Sequence, residues 1–262
     1  MTASRCEPIR ILRADGIGAD GTRDIAIEAP VAIEVDGLGY AVMMMTPRDL
    51  DAFALGFMLT ERLADTAADV IAIEPYQTAS GWIVRVALVE RCRARIHDRV
   101  RHRTSDTSCG LCGIASLEQL VRPVAGRPPR PQVVAAAVFA ALGRLRDHQR
   151  LNAATGAVHA AAACDGDGAI VALFEDVGRH NALDKLIGHQ ANARPAAFTL
   201  VTSRISFEMV DKALVAGTPL LVGISAPTSL AIDHARAHGL TLLALARSDS
   251  MLVLNDPWGA FA

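Results

Sequence analysis

The chain has 262 residues, about half of them apolar (51%), and a formal net charge of −2. That length supports a full hydrophobic core and two domains, while a near-neutral balance argues against general nucleic-acid binding. No apolar run approaches the roughly 18 residues that suggest a membrane span. The N-terminus has no apolar signal core, so a cytoplasmic address is expected. Five cysteines are an odd number and sparse, unlike a secreted disulfide framework.

The N-terminal region, residues 1–121, opens with short β-like segments at 25–28, 31–35 and 40–45. An Asp36-Gly37 turn joins the last two. A helix follows, with Thr46 as N-cap, Pro47 at the first helical position and Asp49 in the first turn. Leu50, Phe53, Ala54, Phe57 and Met58 recur at helical spacing and form its core face. Further strands are expected at 70–73 and 82–89. Residues 91–103 carry six arginines and two histidines against one aspartate. They read as a solvated mobile loop, or as an electropositive approach to the thiols of Cys109 and Cys112. Residues 122–132 hold four prolines and a glycine, which no helix or central strand accepts, and mark a linker.

From residue 133 to 262 the pattern changes. A helix at 133–145 is followed by strand 169–174, helix 179–189, strand 198–201 and helix 207–216. Strand 220–224, helix 229–238 and strand 240–246 complete the series. Gly217 and Gly239 stop two of the helices. Such alternation predicts an α/β domain with a largely parallel sheet.

Ligands of these sheets bind beyond the carboxyl ends of the strands. Three such ends carry residues suited to phosphate or ribose: Ser203 and Arg204, then Ser225 and Thr228, then Arg247, Ser248, Asp249 and Ser250. Ser206 and Thr228 also suit helix caps. Arg179 and His180 open a helix after the Gly178 turn, and His180 is one turn from Asp184, which could hold its imidazole in one tautomer. His159 is the other histidine in a motif-like segment.

Cys109-Gly-Leu-Cys112 is the most informative stretch. Two thiols within one turn can do redox work, hold half a metal site or pass on sulfur. Structural zinc normally needs four ligands, and no second pair exists. A zinc deaminase requires His-x-Glu before Pro-Cys-x-x-Cys; here Ala160 and Ala161 follow His159, and the cysteines precede it. A thioredoxin-like dithiol would open a helix after a buried strand; a short helix is expected at 114–121, but an arginine- and serine-rich stretch precedes this pair. Glycines on both sides suit a carrier that visits two sites, and sulfur transfer through a low-pKa thiolate fits best.

Taken together, Ser108-Cys-Gly-Leu-Cys-Gly113, Thr155-Gly-Ala-Val-His-Ala160, the run from Glu175 to Lys185, the run from Ser203 to Val210, and Ser225-Ala-Pro-Thr228 resemble the formate dehydrogenase accessory sulfurtransferases, the FdhD family. The segment from Met45 to Glu61 is similar as well. The resemblance implies a persulfide carrier at Cys109 with Cys112 as its partner, no resident metal, and sulfur taken from a cysteine desulfurase. Its client would be the bis-molybdopterin guanine dinucleotide cofactor of formate dehydrogenase. It also implies homodimers and a three-layer cytidine-deaminase-like C-terminal domain after a smaller β-rich α+β domain. The family's cofactor contacts align with Leu245, Ala246, Arg247, Ser248, Asp249 and Ser250. Ala157 replaces the family's second glycine, and Leu245 replaces a phenylalanine. A non-catalytic cofactor chaperone and a dithiol oxidoreductase are the competing readings.

Overall fold

The structure, a computed structural model, describes residues 2–16, 18–100, 126–193 and 195–261. Cys109, Cys112, the short helix expected at 114–121 and linker residues 122–125 lie outside the described residues.

The chain begins with an antiparallel hairpin, β1 (Ser4–Leu12) and β2 (Gly18–Ala26), whose side chains are mostly exposed. A four-stranded sheet follows in the order β4-β3-β6-β5, from β3 (Ala29–Val35), β4 (Leu38–Met45), β5 (Val70–Thr78) and β6 (Gly81–Leu88). Asp36 (φ 46°) and Gly37 (φ 81°) make the two-residue β3–β4 turn, where both central residues need positive φ. Val31, Ile33 and Val35 alternate inward and pack with Val84 and Val86 against α1 (Leu50–Thr60). The predicted stripe Leu50, Phe53, Ala54, Phe57 and Met58 is buried as expected.

The start of that helix differs from expectation. The N-cap is Asp49, at φ 55°, and not Thr46. Tertiary contacts claim Thr46 instead: its N–H donates to Asp176 Oδ2 (3.1 Å), its hydroxyl accepts from Val177 N–H (3.3 Å), and its carbonyl accepts from Lys185 Nζ (3.0 Å). Residues 91–100 also differ from a loop. They enter α2 (Glu90–Val100), and residues 101–103 lie outside the described residues. Cys92 and Ile96, one turn apart, bury one face of α2. Arg91 pairs with Asp69, Arg93 with Glu90 (2.8 Å), and Arg95 with Asp65 (2.7 Å). The first half of the arginine run is thus an anchored helix with paired charges.

The C-terminal half carries a six-stranded sheet in the order β12-β11-β10-β9-β7-β8. Its strands are β7 (His159–Cys164), β8 (Ile170–Asp176), β9 (Phe198–Val201), β10 (Leu220–Gly223), β11 (Thr241–Ala244) and β12 (Leu252–Asn255). Only β9, β10 and β11 run parallel; β7, β8 and β12 are antiparallel to their neighbours, so the sheet is mixed and not largely parallel. One face packs on α5 (Arg179–Gln190), α6 (Phe207–Val215) and α7 (Ser229–His238). The other packs on α3 (Ala135–His148) through Val138, Ala141 and Leu145. A short helix, α4 (Arg150–Thr155), leads into β7.

α1 lies against α5 and joins the two halves. A Cβ on Gly56 would stand 1.8 Å from Asp184 O, and one on Gly188 would stand 1.9 Å from Ala52 O, so the backbones touch where only glycine fits. Buried ion pairs flank the seam: Lys185–Asp176 at 2.6 Å, and Lys212–Asp184 at 2.8 Å with Thr60 donating to Asp184 at 2.8 Å. No helix among the described residues is long and apolar enough to cross a membrane.

Candidate functional site

The carboxyl ends of β9, β10 and β11 lie side by side, and the loops leaving them are bonded to one another. Ile224 N–H donates to Val201 O (3.1 Å), Ile205 N–H to Ala226 O (3.2 Å), Thr228 N–H to Ile205 O (3.0 Å), and Ala246 N–H to Gly223 O (3.1 Å). Ser203, Arg204, Ser225, Thr228 and residues 245–250 therefore meet at one rim of the sheet, where parallel α/β strands receive ligands.

The members of the rim differ in availability. Arg204, Arg247, Ser248, Asp249 and Ser250 are exposed, and Ser225 is half-buried. Leu245 takes φ 50° and turns the chain after β11, with Ala246 buried behind it. Arg247 lies across the ends of two strands, bonding Ile224 O and Ala246 O (3.0 Å). Ser203 is buried and donates to Arg204 O (3.0 Å). Thr228 caps α7, its hydroxyl accepting from Ala231 N–H (3.3 Å). Exposed guanidinium groups beside hydroxyls suit the phosphates and ribose of a nucleotide.

Beside this rim, the polar run at the start of α5 faces α6. His180 does not pair with Asp184, despite the favourable spacing. Asp184 is held by Lys212 and Thr60, and His180 Nε2 instead lies 3.1 Å from Glu208 Oε2, out of line for a hydrogen bond. Burial, helped by the charges of Lys212 and Arg179, lowers His180 to about 3. Burial also raises Glu208 to about 7, against the pull of Lys212 and Arg179. His159, at the start of β7, is lowered by burial and by Arg179 and Arg204. Glu208 is the residue that sequence reasoning missed, since an acid in a first helical turn looks like an ordinary dipole partner.

The described cysteines offer little rival chemistry. Cys92 and Cys164 are buried, and burial pushes both thiols up, Cys164 to about 12. Cys6 is exposed on β1. Asp65, Asp69 and Cys92 place ligand-type atoms within 4.8 Å of one another. Asp69, however, already accepts from Asp65 and Thr66 N–H groups and faces Arg91, and Asp65 pairs with Arg95. That group anchors α2.

Comparison with known proteins places the chain. The FdhD/NarQ family pattern matches residues 26–259. The sulfur carrier protein FdhD of Bordetella parapertussis is 42% identical over 250 residues, covering 94% of this chain and 91% of the relative. Its counterpart in Agrobacterium fabrum is 43% identical over 259 residues, covering 97% and 96%. A crystal structure described as a formate dehydrogenase accessory protein, from Desulfotalea psychrophila, matches all of both chains with a TM-score of 0.77 at 23% identity, which shows a shared fold. The chain belongs to the FdhD/NarQ family.

Proposed function

We propose that this protein is a cytoplasmic sulfurtransferase that carries sulfur as a persulfide on Cys109 and delivers it to the bis-molybdopterin guanine dinucleotide cofactor of formate dehydrogenase. The observation that carries this reading is the identity, above 40% over more than nine-tenths of the chain, to proteins named as sulfur carriers. The sequence keeps the Cys109-Gly-Leu-Cys112 pair that such a role requires. The C-terminal half is assigned the cytidine-deaminase-like arrangement, and the working unit a homodimer.

The chemistry asked of the chain is thiol–disulfide exchange. The Cys109 thiolate attacks the outer sulfur of the desulfurase's cysteine persulfide; a new S–S bond forms and the donor cysteine leaves as thiolate. On delivery, Cys112 attacks Cys109, closing a disulfide and releasing the carried sulfur at the sulfide level to the client. A cellular dithiol reductant then reopens the pair. The guanine dinucleotide is the substrate. The rim residues Arg204, Arg247, Ser225, Ser248 and Ser250 are suited to its phosphates and ribose, with Ser203 and Thr228 supporting the loops that carry them.

Formate dehydrogenase activity in cells lacking the native protein and supplied with Cys109→Ala tests the reading. Loss of activity with normal protein level is the expected result. Retained activity would instead favour a chaperone that binds the cofactor without carrying sulfur.

A further inference from the structure

The rim does not account for the polar cluster between the N-termini of α5 and α6. Three buried side-chain atoms there have no hydrogen-bond partner among the described residues: Arg179 Nε, His180 Nε2 and Ser206 Oγ. Such groups are rare in folded proteins, because each loses its water without replacement. Here they gather on two adjacent helix starts. Ser206 occupies the N-cap position of α6 but makes no cap bond, so that helix also keeps its first N–H groups unserved by a side chain.

Cations and acids both surround the cluster. From α5 comes Arg179, from the loop after β9 comes Arg204, and from the second turn of α6 comes Lys212, which is engaged by Asp184 and Thr60. His159 from β7 and His180 are both held neutral, in part by these cations. Glu208 is the facing acid, with Asp211 on its own helix and Glu61 at the end of α1 acting on it through space. His180 and Glu208 side chains keep 18% and 16% of their surface exposed, so solvent reaches the cluster.

We propose that this crevice is an oxyanion site for a phosphate-class group, held by Arg179, Ser206 and the two imidazoles, with Glu208 taking up a proton as the anion enters. Arg179 Nε–H and the Ser206 hydroxyl are donors, as an anion demands, and two helix starts add favourable dipoles. A carboxylate would repel the anion, and a carboxylic acid donates to it. Glu208 sits near the pH at which either form is accessible. On the function proposed above, on which the identity of the occupant rests, the group is a diphosphate of the guanine dinucleotide.

The test is calorimetric titration of the full chain with inorganic pyrophosphate, GDP and guanosine at pH 6, 7 and 8. Pyrophosphate should bind, and Arg179→Gln should weaken it by about tenfold, the scale of one charge-assisted contact. Ser206→Ala breaks no existing bond, so it should keep the fold while weakening pyrophosphate by about threefold. Glu208→Gln should remove the proton uptake of the wild type; the difference between the two isolates the carboxyl from titration of pyrophosphate itself. Pyrophosphate binding that is absent, or indifferent to all three substitutions, overturns the site. If GDP then still binds the wild type, the cofactor reading stands without it. Pyrophosphate bound with Glu208-dependent proton uptake, while GDP and guanosine are not bound, supports the site and sinks the cofactor reading.

Discussion

Gly56→Ala is the sharpest test of how the two halves are joined. The added methyl would sit 1.8 Å from Asp184 O and 2.8 Å from Gly188 N, both backbone atoms that cannot rotate away. Restoring ordinary contact requires opening the α1–α5 seam by about 1.6 Å at that point. A gap of that size weakens packing of the neighbouring side chains and strains the Lys185–Asp176 and Lys212–Asp184 pairs beside it. Overpacking costs about 1–3 kcal/mol, and a rigid backbone partner puts this case at the upper end. Alanine returns about 1 kcal/mol of helix propensity, already set against the lost contacts in a net loss of about 2–3 kcal/mol. Urea unfolding followed by circular dichroism should show the lower midpoint. Gly143→Ala is the control: it lies within α3 with nothing within 4 Å of the new methyl, and should stabilise by about 0.5–1 kcal/mol. If Gly56→Ala matched Gly143→Ala, close backbone contact at the seam would be refuted.

The buried charges give further expected outcomes. Lys185→Met leaves Asp176 buried without its cation and should cost about 3–5 kcal/mol in the same unfolding assay. Arg62 bonds Asp211 with both guanidinium nitrogens (2.8 and 2.9 Å). Burial raises Asp211, yet bonds from His234 and Arg62 outweigh it and hold the carboxyl far below its usual range. That stabilisation is complete above the ordinary carboxylate pKa and is lost as pH falls through the depressed one. Arg62→Gln should therefore cost about 1.5–3 kcal/mol at pH 7 and progressively less in strong acid. Glu208 and His180 have opposing linkage. Glu208, raised to about 7, loses stability as pH rises from its unfolded value of 4.5. His180, lowered to about 3, loses stability as pH falls below 6.5. Between 4.5 and 6.5 the two slopes offset, so Glu208→Gln should expose a rise in stability with pH approaching about 1.4 kcal/mol per unit. An unchanged pH–stability curve would contradict both assignments.

What the sequence revealed was mostly local. Helix Ser229–His238 was legible because Thr228 and Gly239 mark its ends through their own backbone preferences. The β3–β4 hairpin was legible because Asp36-Gly37 specifies a turn by itself. The strand β7 was not, since a run of four alanines carries no strand signature; it is extended because it fills the space between β8 and β9. The β1–β2 hairpin was hidden by its exposure on both faces, and α2 by its dense charge. At the rim, alternation of strands and helices was enough to bring Arg204, Ser225 and Arg247 to neighbouring strand ends. The partner of His180 was not legible, because Lys212 from another helix takes Asp184 away. Thr46 likewise became a junction residue through contacts 130 and more positions distant.

The central claim is that sulfur travels on Cys109. Intact mass after incubation with a cysteine desulfurase and cysteine tests it most directly, comparing the wild type with Cys109→Ala. A gain of one sulfur atom that reductant removes, present in the wild type and absent in the variant, is the predicted result. No gain in either protein with an active desulfurase, or an equal gain in both, would contradict it.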